Sequence, residues 1–165
     1  MRSCGVWLAK AFATCGFLGY LPRLIRSTAS LSTGAGFIGT LVGVATLGAL
    51  PSEGVPALVV LAGAFCFSVG VTDYAEQFLR RKDDPRIILD EWVGYWFAMA
   101  FLPRSWPFLF AAFVLFRILD VWKPLGIRHL SHAPGGWGVV IDDVAAGLGV
   151  NLILQIVCWA HGRGV

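Results

Sequence analysis

Apolar positions in this chain come in long unbroken runs, with no alternation of the kind a half-buried strand shows. Residues 27–52, 54–72 and 144–162 contain no Asp, Glu, Lys or Arg. Each is close to the ~20 residues a helix needs to cross a bilayer. Two shorter charge-free runs, 92–103 and 105–116, are separated by Arg104 and bracketed by Pro103 and Pro107. The pattern predicts five spans: Gly36–Leu50, Pro56–Leu79, Asp90–Pro103, Trp106–Trp122 and Gly138–Ala160. The third and fourth reach a spanning length of roughly 25 Å only if their helical ends are counted from about Arg86 and out to Trp122, at 1.5 Å per residue. A single helix from Trp92 to Phe116 is the alternative. The two prolines flanking Arg104-Ser105 favour a tight turn instead.

Composition agrees with this pattern. Of the 165 residues 57% are hydrophobic and 14% charged, and the mean hydropathy is +0.73. An all-α polytopic membrane bundle follows, as one integral membrane domain over residues 1–165. Residues 1–27 are read as an interfacial segment and 28–165 as the helical catalytic bundle. Lys10 within the first apolar stretch and the lack of an A-x-A-like site argue against a removable signal peptide. An amphipathic helix over about Val6–Ile25 is expected instead, anchored by Trp7, Phe12 and Tyr20.

Charge is distributed unevenly about these spans. Up-and-down threading places nine of the ten acidic residues at one membrane face, with Glu53 opposite; of the thirteen basic residues only Arg104 and Arg163 lie away from that face. The positive-inside rule makes the charged face cytoplasmic. A net charge of +3 and no basic stripe with interleaved aromatics exclude a nucleic-acid partner.

The same threading gathers Asp90-Glu91, Arg117, Asp120, Lys123 and Asp142-Asp143 from three spans at one face. Carboxylates brought together repel unless cations intervene, and hard oxygen ligands suit Mg²⁺ or Mn²⁺. Asp90, Glu91, Asp120, Asp142 and Asp143 are therefore candidate metal ligands. Arg117 and Lys123, each three residues from Asp120, are candidate phosphate-binding cations. The glycines of "GGWG", Gly135 and Gly136 first among them, could bring backbone N–H groups to an anion at the start of the last helix. The alternative for Asp90-Glu91 and Asp142-Asp143 is helix capping. Asp73 and Glu76 read as structural partners of Arg80 or Arg81, "RRKDD" (80–84) as a solvated loop, and His129 and His132 as surface residues. Cys4, Cys15, Cys66 and Cys158 form no metal-binding spacing.

Several phosphatase chemistries are absent. Six positions after each cysteine stand Lys10, Leu21, Thr72 and Gly164, so there is no Cys-x5-Arg nucleophile. No D-x-D-x-[TV] or P-S-G-H segment occurs, nor the spaced aspartates of CDP-alcohol phosphotransferases. Metal-assisted phosphomonoester hydrolysis remains; a small cation transporter and a purely structural subunit are the alternatives from other classes.

"ILDEWVGYW" (88–96), "FRILDVWKPLGIR" (116–128) and "GGWGVVIDDVAAG" (135–147) resemble three motifs of the bacterial phosphatidylglycerophosphatase A family, in order and in register. The resemblance implies Mg²⁺-dependent removal of the terminal phosphate of phosphatidylglycerol phosphate, a membrane phospholipid substrate. It also implies the importance of Asp90, Glu91, Arg117, Asp120, Lys123, Asp142 and Asp143. The chain departs from the family twice. A Pro-Gly-Thr-x-Gly-Ser-like segment is replaced by "STGAGFIGT", where only Gly36 matches, and Gly126 stands where a proline is usual. Headgroup preference, direct water attack against a phospho-aspartate, and the number of ions stay open.

Overall fold

The computed structural model describes residues 2–22, 31–79, 82, 84–124, 126–160 and 162. Every regular element among them is helical: α1 (Arg2–Ala13), α2 (Leu31–Thr46), α3 (Gly54–Leu79), α4 (Leu89–Ala98), α5 (Trp106–Trp122), α6 (Ile127–Leu130) and α7 (Gly136–Ala160), with 3₁₀ turns at Leu18–Tyr20 and Leu47–Ala49.

Two of these, α3 and α7, are long and apolar enough to cross a membrane; the apolar stretch of α2 is shorter. Five full spans were expected; two helices have that length, and α4 falls furthest short of it among the other expected spans. It has ten residues, a rise of about 15 Å, and starts at Leu89. The Arg86 region does not extend it, because Asp84 folds that segment into a turn: its carboxylate accepts from the Arg86 N–H at 3.0 Å and the side chain at 2.6 Å, and its carbonyl accepts from the Ile87 N–H. The proline-bracketed break is present. After Ala98 the chain turns through residues 99–105, and α5 begins with Pro107 in its first turn, so Trp92–Phe116 is not one helix.

Short as it is, α4 is the hub, packed against α2, α3, α5 and α7. Its Tyr95 is fully buried among Phe113 and Phe116 rings. Lipid tails are as apolar as leucine, so close packing and hydrogen bonds carry such association. Trp96 donates to the Gly43 carbonyl at 3.2 Å and Tyr95 to that of Leu109 at 3.1 Å. At the end of α4, Asn151 of α7 donates to the Ala98 and Ala100 carbonyls, satisfying acceptors that a helix end leaves open.

The outward faces are apolar. Trp106, Phe110, Val114, Ile118 and Val121 form an exposed stripe along α5, with Trp122 beside its end. The N-terminal helix is shorter than the Val6–Ile25 expected, ending at Ala13 where Cys15, Gly16 and Phe17 all take positive φ; Arg23–Ile25 lie outside the described residues. Trp7 and Phe12 are exposed as anchors should be. Tyr20 is not: its ring lies under the Arg86 guanidinium at 5.3 Å.

Candidate active site

Glycine contacts decide where the three acidic motifs meet. A Cβ on Gly94 of α4 would stand 2.9 Å from the Asp143 carbonyl and 2.7 Å from the Phe116 ring, and one on Gly147 of α7 would collide with the Gly94 carbonyl. The two backbones therefore touch. That crossing sets Asp143 against the first turn of α4, where Asp90 and Glu91 sit. One carboxylate oxygen from each of Asp90, Glu91 and Asp143 lies within 4.8 Å of the others. Glu91 Oε2 is buried, and no hydrogen-bond donor reaches it. Three converging carboxylates, with a buried unsatisfied oxygen on Glu91, are a donor set suited to a hard divalent cation.

Asp142 and Asp143 part company because successive residues point about 100° apart around a helix. Asp142 turns toward the end of α5 and pairs with Lys123. Lys123 also reaches Asp143 at 3.7 Å and Asp120 at 3.9 Å. Its left-handed conformation, φ 44°, ends α5 and swings the ammonium back over the cluster. Burial opposes the ammonium form of Lys123, but Asp143, Asp142 and Asp120 outweigh it and hold its pKa above the ordinary lysine value. Arg117, one turn before Asp120, pairs with it at 2.7 Å. The outcome is an inner carboxylate triplet of Asp90, Glu91 and Asp143, with two cation–carboxylate pairs, Lys123–Asp142 and Arg117–Asp120, alongside it.

Asp142 and Asp143 were expected at a helix mouth. They lie instead within the second turn of α7, which begins at Gly136, so N-terminal capping does not explain them. Both are nearly fully buried, at 2% and 3% exposure. Burying ionised carboxylates is costly without compensation; Lys123 compensates Asp142 directly.

Gly135 and Gly136, expected at a phosphate, meet a carboxylate in the structure. Both pack against Asp73 of α3, and the Gly136 N–H donates to its carboxylate at 3.2 Å. Asp73 thus serves the positive end of α7; Arg80 and Arg81, its expected partners, lie outside the described residues. The "RRKDD" segment is not simply solvated either: Asp84 is buried against Arg86, and Lys82 donates to the Ser131 and Ala133 carbonyls. His129 and His132 are exposed on the α6 loop.

Gly36 borders the candidate site, a placement the sequence alone did not reveal. A Cβ there would stand 2.5 Å from Glu91 Oε1 and 2.6 Å from an Arg117 nitrogen. The divergent "STGAGFIGT" segment therefore borders the cluster. The signal available was Gly36 itself, the one match to the family's glycine-rich segment.

Comparison with known proteins follows the same residues. The family model for phosphatidylglycerophosphatase A matches residues 11–158. A Bacteroides thetaiotaomicron protein carrying the provisional name phosphatidylinositol-3-phosphatase is 39% identical over 84 residues, 49% of this chain and 53% of its own. The phosphatidylglycerophosphatase A of Escherichia coli is 39% identical over 93 residues, 55% and 54% of the two chains. That of Haemophilus influenzae is 34% identical over 126 residues, 73% and 75%. The matched part spans about half the length of the first two relatives. No solved structure matches the chain. With the family model covering all three acidic motifs and the segment that carries Gly36, the chain belongs to the phosphatidylglycerophosphatase A family.

Proposed function

We propose that this protein is a Mg²⁺-dependent lipid phosphatase that hydrolyses the terminal phosphomonoester of phosphatidylglycerol phosphate, at the cytoplasmic face of the bacterial inner membrane. The observation that carries the reading is the convergence of Asp90, Glu91 and Asp143 beside two cationic side chains, Arg117 and Lys123. Family membership and the names of the Escherichia coli and Haemophilus influenzae relatives support the substrate.

In this reading Asp90, Glu91 and Asp143 would hold the ion, which would supply Lewis-acid polarisation of the phosphate and a lowered pKa for the attacking water. Lys123 and Arg117 turn toward the equatorial phosphate oxygens and stabilise them as charge redistributes. Asp142 and Asp120, already paired with those cations, orient them. Neither is among the carboxylates whose oxygens converge within 4.8 Å of one another. Water forms the new P–O bond, the ester P–O bond breaks, and the glycerol oxygen leaves with a proton.

The membrane arrangement is part of the proposal. α2 and α5 join α3 and α7 as spans, α4 is a short inner helix within them, and α1 lies along the lipid surface. Exposed Trp106 and Trp159 at one end and Trp122 and Trp137 at the other support two interfacial belts. Asp143 sits seven residues into the 25-residue α7, about 10 Å from its start and short of the helix midpoint. A transporter would place its ionisable groups along the path through the middle.

A second headgroup has one specific observation in its favour. The Bacteroides relative is named for a phosphoinositide, and the segment bordering Glu91 and Arg117 is the one that departs from the family. Phosphate release by detergent-purified protein, with and without chelator, from phosphatidylglycerol phosphate, phosphatidylinositol 3-phosphate and phosphatidic acid separates the two. Preference for phosphatidylglycerol phosphate is expected. A higher kcat/KM on either other lipid overturns the substrate assignment, and chelator-resistant release overturns the metal.

A further inference from the structure

Ser68 and Thr72 lie one turn apart on α3, so they share a face of the helix. Both are 0% exposed, and neither hydroxyl has a hydrogen-bond partner in the protein. That is an unusual state for a helical Ser or Thr. The hydroxyl normally bonds back to the carbonyl one turn earlier, as Thr40 does to Gly36 and Thr46 to Val42. An unsatisfied hydroxyl buried in an apolar bundle is destabilising, and Ala or Val at the same positions would avoid the penalty.

Their position says what the hydroxyls face. Val69 of α3 and Val93 of α4 share one apolar cluster, and Ala75 and Ile87 share another. The two helices therefore pass antiparallel, with 69 to 75 opposite 93 to 87. Thr72 and Asp90 fall midway along those two intervals, and Ser68 lies one turn deeper on the same face. The hydroxyl pair thus meets α4 at the level of the carboxylate triplet.

We propose that Ser68 and Thr72 are positioning residues for the ion-binding triplet, acting through Asp90. Resting on the metal reading above, the inference is that their hydroxyls satisfy the outer waters that a Mg²⁺ ion keeps and fix Asp90 in its coordinating orientation. Groups of this kind typically change metal affinity 10- to 100-fold when removed. The arrangement explains why two buried hydroxyls are retained where apolar residues would pack without penalty.

The test is titration of the detergent-solubilised full chain with Mn²⁺, followed by electron paramagnetic resonance, beside the thermal midpoint of the metal-free protein. Thr72→Val should leave that midpoint unchanged or raise it while weakening Mn²⁺ binding about tenfold; Thr72→Ser, which restores the hydroxyl, should bind within about twofold of wild type, on the same scale. Ser68→Ala provides the same readout with a smaller change of shape, should Thr72→Val fail to fold. Wild-type affinity in both Thr72→Val and Ser68→Ala overturns the inference and leaves the metal reading standing. A lowered midpoint with weakened binding in all three variants, Thr72→Ser included, shows a packing role and also overturns it. No Mn²⁺ binding by the wild-type protein overturns both.

Discussion

Gly147 and Gly94 press backbone to backbone where α7 crosses α4, leaving no room for a methyl group on Gly147. The acidic motifs on the two helices are joined there. Gly147→Ala must push the helices apart against main-chain atoms, which have no rotamer to yield. Overpacking of this kind costs about 1–3 kcal/mol. A lower thermal midpoint together with a weaker apparent Mg²⁺ constant is predicted, because Asp143 moves with α7; a midpoint shift alone would mean that the triplet tolerates the displacement.

Gly36 makes a different prediction, because its neighbours are the mobile ends of Glu91 and Arg117. Gly36→Ala should leave folding nearly intact and lower kcat/KM by about tenfold or more, the scale of one misplaced polar contact. Steady-state kinetics beside a melting curve separate it from Gly147→Ala.

Arg117 pairs with Asp120 through one guanidinium nitrogen, and the proposed reading gives the rest of its fork to phosphate. Arg117→Lys keeps the charge but loses the planar fork. We predict a fall in kcat of about 10- to 100-fold with little change in stability, since a planar donor set aimed at the transition state is lost. Unchanged kcat would remove Arg117 from the phosphate.

Lys123 and Asp142 should behave as a pair. Lys123→Met leaves the buried Asp142 carboxylate without its cation, costing about 3–5 kcal/mol in a buried pair. The double variant Lys123→Met/Asp142→Asn should recover much of that stability and none of the activity. Thermal melts of the four proteins of the cycle test this. Additive losses would show that the two side chains act independently.

Much of the architecture was legible in the sequence, and the reasons differ by element. α3 and α7 announce themselves because a charge-free run of spanning length has few other solutions in water or lipid. The α4–α5 break was readable from Pro103 and Pro107. The brevity of α4 was not, because it depends on Asp84 folding residues 84–88 into a turn, a bond between near neighbours that hydropathy does not register. The residue set of the site was legible as a convergence at one face. Its division was not: whether Asp142 or Asp143 meets the triplet depends on the rotation of α7, which the Gly94–Gly147 contact fixes. The contact of Gly135 and Gly136 with Asp73 was not legible for a related reason, since a glycine pair at a helix start suits an anion equally well whether the anion is a phosphate or a carboxylate.

The proposed topology has its own test. Reporter fusions at residues 85, 104 and 130 should place 85 and 130 on the cytoplasmic side and 104 opposite. A shared side for 85 and 104 would contradict the arrangement of α4 and α5 across the membrane.

The central claim is that the Asp90–Glu91–Asp143 triplet is the ion site of a lipid phosphatase, and one measurement addresses it most directly. Phosphate release from phosphatidylglycerol phosphate should be followed in wild type and Asp143→Asn, both verified as folded, across a Mg²⁺ titration that begins in chelator. The account predicts no release in chelator, saturable release in wild type, and in Asp143→Asn a loss of at least about a hundredfold, the scale for one essential charged group. Equal release by the two proteins at every Mg²⁺ concentration would contradict it.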